Sequence, residues 1–361
     1  MKSLLGITKA KVMIGLLIGI GLLFLVSRFV NLSFTFHVLQ QNLATPRGLI
    51  FASLSGIAFL CAFSVRGIRW KLFLNPIGNV STFTAIRLFL ISIFINFLLP
   101  ISSGEIAKTL MLKRTADIPI SRSLPTVALD RSMDLLPALF IMVIVPFLGI
   151  RMDIKLWLVL GTVASLLVCL MFFVGLAAWK RDAAITLLSK ITAMLPKTYG
   201  SKINDFATGF VETLLAGIRR PKIFIPAMLL TCVAVIFDSL FALFAFWTIG
   251  FPISFGTVIF GYTIFNMFFI LPTPPGQLGS NEAVGLLVFT GLLRLPPGKV
   301  TAMIIFSHPW AAVLMCTAGI ISLKALGLTI STAMRGQPEE SEETLLPEIE
   351  ETEIEETPVL Y

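Results

Sequence analysis

Charge is scarce in this chain. Asp, Glu, Lys and Arg make up 13% of its 361 residues against 56% hydrophobic ones, with a mean hydropathy of +0.93. That composition excludes an ordinary soluble globule and marks a polytopic membrane protein. Reaction signatures are also lacking. There is no GxxxxGK(S/T) loop, so direct drive by ATP is not indicated, and no HExxH, GxSxG or Cys/His cluster for hydrolytic or metal chemistry. Cys61, Cys169, Cys232 and Cys316 each lie inside apolar runs and form no CxxC pair. They read as small buried hydrophobes rather than disulfide or metal partners. No polar stretch is long enough for a separate soluble domain, so function is expected within the membrane body, with no cofactor, metal or nucleic acid involved.

Apolar sequence is what the chain has in abundance. Spans of helical length are read near 12–30, 48–66, 125–150, 156–178, 223–249 and 300–324, with shorter pieces at 83–100, 257–272 and 283–293. Lys2, Lys9 and Lys11 precede the first span without a small-residue cleavage site, which reads as a retained anchor. Acid collects at the other end. Ten of the 20 acidic residues are glutamates between Glu339 and Glu356, so 338–361 reads as a disordered acidic tail and 1–337 as the membrane domain. Outside that tail, 28 Lys and Arg stand against ten acids. The basic residues gather at the N-terminus, after the second span (Arg66, Arg69, Lys71, Arg87), over 105–122 and over 180–222. The positive-inside rule places all four groups, and both termini, on the cytoplasmic side of a multi-pass inner-membrane protein. In 180–222, Ile185, Leu188, Ile191 and Leu195 recur at helical spacing among basic residues. That predicts amphipathic helices on the inner leaflet or a cytoplasmic cap of the bundle.

Two interruptions of the apolar pattern correspond. NFLLPISSGE runs from Asn96 to Glu105, and NMFFILPTPPGQLGSNE from Asn266 to Glu282. Each begins with Asn, breaks at Pro, loosens at Gly and closes on Glu, leaving backbone groups unpaired. In hydrocarbon such groups are tolerated only where protein or a water-filled cavity surrounds them. The piece 83–100 has basic flanks on both sides, which predicts a re-entrant hairpin entering from the cytoplasm. The second half repeats the plan upside down around an external hairpin. The expected fold is therefore an all-α bundle built from inverted repeats over about 48–150 and 223–325, with two re-entrant hairpins.

Few charged side chains fall within the membrane body, where they default to functional roles. Glu105 and Glu282 close the two breaks; Asp130, Arg131 and Asp134 lie together in VALDRSMDLLPALF. On a helix, Asp130 and Asp134 share a face and Arg131 reaches Asp134 at i, i+3. Arg131 can serve both carboxylates, or pair with one and leave its fork open for a phosphate oxygen. A plain ion pair pinning hairpin to span is the structural alternative. Asn96 and Asn266 suit the freed backbone groups, and Lys108 is spaced to neutralise Glu105. Asp238, alone in its span, is either a polar bundle contact or a coupling-proton site. His308, before Pro309, reads as structural rather than as a proton relay. Gly15 and Gly19 form a GxxxG, a weak sign of dimerisation.

Taken in order along residues 10 to 325, these motifs resemble the transmembrane region of bacterial lysylphosphatidylglycerol synthetases, a flippase-like membrane family. The resemblance rests on Asn96, Pro100, Gly104 and Glu105, then Arg131 and Asp134 in a motif that usually reads Glu-Arg-x-x-Asp. Pro272, Pro275, Gly276, Gly279 and Glu282 follow in one like PxxPGGxGxxE. Asp130 replaces the usual Glu, and Gln277 stands where a second Gly is common. The resemblance implies movement of a lipid or lipid-linked head group between leaflets, with two hairpins meeting at the centre. Anionic phospholipid, polyprenyl phosphate or hopanoid-like lipid are the substrate classes it suggests. The soluble aminoacyl-transferase domain of full-length synthetases is lacking, so enzyme activity is not expected. The alternative is an accessory scaffold for a lipid-modifying glycosyltransferase or synthase, held through the acidic tail.

Overall fold

A computed structural model describes residues 13, 17, 19–24, 32–99, 103–134, 137, 165, 221–268 and 273–329. Pro100, Pro272, Gly15, Cys169, the segment 180–220, the tail and most of the spans at 12–30, 125–150 and 156–178 lie outside the described residues. Among the described residues every regular element is helical. In chain order these are α1 (Leu32–Leu43), α2 (Pro46–Leu74), α3 (Thr82–Leu98), α4 (Ser103–Ala116), α5 (Ile120–Met133), α6 (Pro221–Thr248), α7 (Phe255–Phe268), α8 (Ser280–Gly285) and α9 (Pro297–Ala325). A 3₁₀ turn, Pro275–Gln277, precedes α8, and a π-helical stretch, Leu286–Leu292, extends it.

Three helices, α2, α6 and α9, have 29, 28 and 29 residues and are apolar enough to cross a membrane. At about 1.5 Å per residue each is roughly 42 Å long, more than the ~30 Å of hydrocarbon. The shorter apolar helices are α3 and α7. Local sequence explains the start of α2. Thr45 accepts a hydrogen bond from Gly48 N at 3.0 Å, and Pro46 occupies a position where no donor is needed. Its end differs from the sequence reading. The span was expected to close at 66, with Arg66 and Arg69 in a loop, yet the helix continues to Leu74 and both arginines point into the bundle. Paired acids remove the penalty that made them look like loop residues, and Asn75–Pro76 supplies the stop.

Helices α2 and α6 run antiparallel. Phe51 meets Phe244 and Trp247, Phe59 meets Phe241, Arg66 meets Asp238, and Arg69 meets Thr231. Helix α9 joins them through Trp310, whose Nε1 donates to Ala52 O at 3.1 Å. Helix α3 packs on both α2 and α9. One core cluster gathers Trp70, Leu88, Phe89 and Met111; another gathers Phe246, Phe289, Val300 and Ile304. The opposite face of α6 exposes Ile225, Leu229, Val233 and Ile236 at i+4 and i+3 spacing. That apolar outer stripe suits lipid rather than water.

Candidate functional site

The first break is closed by Asn96. Its Oδ1 accepts from Gly104 N at 2.7 Å, satisfying one of the donors freed at the start of α4, and its Nδ2 donates to Glu105 Oε1 at 3.3 Å. The turn is tight. A methyl group on Gly104 would stand 2.0 Å from Ser92 O, so only glycine lets α4 approach α3 this closely.

Glu105 opens a charge network drawn from four helices. Arg131 binds Glu105 Oε1 directly and reaches Asp134 Oδ2 at 3.5 Å. Lys108 Nζ lies 3.0 Å from Glu105 Oε2 and 3.8 Å from Asp130 Oδ2, ion pairs without hydrogen-bond geometry. The same ammonium sits over the rings of Trp70 (4.5 Å) and Phe89 (4.6 Å), which share its positive charge. Fully buried Arg69 donates through Nε to Asp130 Oδ1 at 2.8 Å, through its other nitrogens to Asp130 O at 3.0 Å and Thr231 Oγ1 at 3.1 Å, and pairs with Asp134 Oδ1 at 2.8 Å. Arg66 binds the Asp238 carboxylate through both terminal nitrogens.

The result is four cations (Arg66, Arg69, Lys108, Arg131) against four carboxylates (Glu105, Asp130, Asp134, Asp238). Such matching is what burial of charge requires, since an unpaired one costs several kcal/mol. Exposure separates the members. The side chains of Arg69, Lys108 and Asp130 are 0% exposed, whereas Arg131 is 46% exposed. Arg131 therefore has one face in the network and one face open.

The second break is built differently. Gly276 and Gly279 have φ of 65° and 73°, and Gln277, where the resemblance expects glycine, is itself left-handed at 55°. His308 on α9 closes the turn. Its Nε2 lies 2.9 Å from Gly276 O and its Nδ1 2.6 Å from Glu282 Oε1. Asn266 stands half-buried near the end of α7. Residues 19–24 cover the turn from outside. A methyl on Gly279 would stand 2.4 Å from Gly19 O, and one on Gly19 2.9 Å from Leu278 O. Gly19, read in sequence as part of a dimerisation motif, thus packs on its own chain.

Glu105, Asp130, Arg131 and Asp134 are brought together, while Glu282 pairs with His308 at a second centre. The centres touch through Phe97, the neighbour of Asn96, whose ring meets His308 edge-on at 6.4 Å and 86°. Sequence reasoning missed Arg66, Arg69 and His308. A signal for the arginines existed: Ala62, Arg66, Arg69 and Phe73 share one helical face, and no stop intervenes before Asn75–Pro76. No local signal pointed to His308, whose partners lie 26 and 32 positions away.

Apolar helices of spanning length around an internal, charge-balanced cluster define a helical integral membrane protein. The chain belongs to the lysylphosphatidylglycerol synthase transmembrane-region family, which it matches over residues 12–319. It is also similar to the UPF0104 membrane protein PH1989 of Pyrococcus horikoshii. The two are 25% identical over 301 residues, which cover 78% of this chain and 89% of that protein. No solved structure matches the chain.

Proposed function

We propose that the protein moves an anionic, phosphate-bearing lipid or lipid-linked head group between leaflets. The observation that carries this reading is Arg131: a guanidinium 46% exposed, anchored from behind by Glu105 and Asp134 and set beside a broken helix. A guanidinium fork matches a phosphate oxygen pair, and a head group at Arg131 competes with Asp134, the longer of its two contacts. Arg69 is placed to keep Asp134 when Arg131 turns to substrate. The buried members, Asp130, Arg69 and Lys108, hold the frame.

In this reading the two breaks are the tips of re-entrant hairpins in inverted repeats over about 48–150 and 223–325. Asn96, Pro100 and Gly104 shape one, and Asn266, Pro272, Pro275, Gly276 and Gly279 the other. Acyl or isoprenoid chains stay in lipid while one repeat rocks against the other. Basic cytoplasmic segments gather anionic lipids at the inner surface. Family membership and the internal charge site support the proposal; the length of α3, 17 residues ending at an extended Leu99, suits a piece that does not cross.

The test is leaflet translocation in proteoliposomes with labelled phospholipids and polyprenyl phosphates. One lipid class should move faster with the wild-type protein and not with Arg131→Ala or Glu105→Gln. Folded variants that transport at the wild-type rate overturn the residue assignment. Absence of movement for every lipid by well-folded wild type turns the reading toward a scaffold for a lipid-modifying enzyme.

A further inference from the structure

The geometry of the second break dictates a proton count. Gly276 O can only accept, so His308 Nε2, 2.9 Å away, carries a hydrogen. The 2.6 Å contact from Nδ1 to Glu282 Oε1 also needs a hydrogen between its atoms. Imidazolium facing carboxylate meets both needs, as does neutral imidazole facing carboxylic acid. Either form holds one proton more than neutral imidazole plus carboxylate. Once that proton leaves, the imidazole keeps a single N–H. It can serve Glu282 or Gly276 O, but not both.

We propose that His308 and Glu282 form a proton-binding site whose occupancy ties α8 and the Gly276 turn to α9 and whose release unlocks the second break. Resting on the flippase reading, this makes a proton gradient the drive for transport. The proton enters the pair from water on one side and returns to water on the other, leaving His308 and Glu282 otherwise unchanged. The pair is well enclosed, with side chains 7% and 14% exposed, and Glu282 Oε2 is buried with no hydrogen-bond partner among the described residues. That oxygen is a second place for the proton to rest.

Among the described residues no other charge contacts the pair. On α2, Arg66 and Arg69 are held by Asp238, Asp130 and Asp134, and Arg47 lies over the Phe51 ring at 5.7 Å. On α3, Phe97 faces the imidazole, and Arg87 stands ten positions earlier, nearly three turns away. The α6 acid, Asp238, is paired with Arg66, and Lys222 lies at that helix's start. On α1, His37 bonds Gln41. Glu282 is the charged residue of α8, and Arg294 follows the π-helical stretch. Lys299 and Lys324 on α9 stand nine and sixteen positions from His308.

The chain has only two histidines, so ¹⁵N-histidine labelling of a His37→Gln protein reports His308 alone. In nanodiscs, the signals of its two ring nitrogens should change with pH as the proton leaves the pair and the hydrogen bonds to Glu282 and Gly276 O rearrange. That change should be altered or lost in Glu282→Gln, while thermal unfolding confirms that the variant is folded. Ring signals that stay the same at every pH, or a change indifferent to Glu282→Gln, overturn the site. In proteoliposomes carrying labelled phosphatidylglycerol, a one-unit pH gradient should bias the lipid up to about tenfold per coupled proton. His308→Gln should abolish that bias. Lipid movement indifferent to the gradient overturns the coupling. A protein that titrates yet moves no lipid keeps the proton site and loses the flippase reading instead, since the nitrogen signal needs no lipid.

Discussion

The two breaks have the same sequence plan and opposite electrostatic settings. At the first, Glu105 faces a guanidinium and an ammonium, and an asparagine amide caps a backbone donor. At the second, Glu282 faces an imidazole, and the same ring caps a backbone acceptor. Arginine keeps its charge at any working pH, whereas histidine changes charge near neutrality. Two motifs of similar sequence therefore sit in different chemical settings. One holds a fixed charge balance with an open arginine face, and the other is the proposed proton site. The carboxylates that align in sequence are not interchangeable, because the partners supplied by neighbouring helices decide what each can do.

The comparison breaks most violently at Asp130. Asp130→Ala leaves fully buried Arg69 without its main anion, so the protein should lose about 3–5 kcal/mol of stability, read by denaturant or thermal unfolding in detergent. Neither a Glu282 nor a His308 substitution at the second centre should match that loss. Glycine substitutions come next. Gly279→Ala combines a left-handed φ with a clash against Gly19 O, about 2–4 kcal/mol in all. Gly104→Ala meets Ser92 O and the Asn96 side chain but has no left-handed φ, about 1–3 kcal/mol. Equal losses at the two positions, measured in the same unfolding series, refute that ordering.

The carboxylate swaps sharpen the contrast. Glu105→Gln removes the partner of two cations and should cost about 1.5–3 kcal/mol at every pH tested. Glu282→Gln should cost less than about 1.5 kcal/mol and flatten the pH dependence of stability instead. Parallel pH–stability curves for the two variants count against the division of labour. The smallest effect is at Gln277. Glycine there relieves a left-handed side chain but adds freedom to the unfolded chain, so Gln277→Gly should change stability by no more than about 1 kcal/mol.

Much of this was legible in the sequence, unevenly. The long helices follow from apolar run length, and the breaks from Pro and Gly, because backbone chemistry is local. The grouping of Asp130, Arg131 and Asp134 follows from helical spacing for the same reason. What sequence could not supply was partnership across the bundle. Arg66 and Arg69 carried a loop signature only because their acids, Asp238 and Asp130, lie 172 and 61 positions away. Their burial reverses the usual meaning of basic residues at a span's end. His308 looked structural because its importance depends on a turn that shares no local pattern with it. Gly19 looked like a dimer contact because a close-approach glycine does not announce which backbone approaches.

The separation of Arg66 from Asp238 has a consequence for biogenesis. Helix α2 emerges from the ribosome long before α6 does, so it reaches the translocon with three arginines, a lysine and no acidic residue of its own. A lone arginine is expensive at the bilayer centre but tolerable near its edge, where the long side chain reaches water. The early helix thus has reason to sit shallow and to sink only when α5 and then α6 deliver their aspartates. Neutralisation of Arg66 is then begun by Asp134, at the end of α5, and completed only by Asp238 of α6.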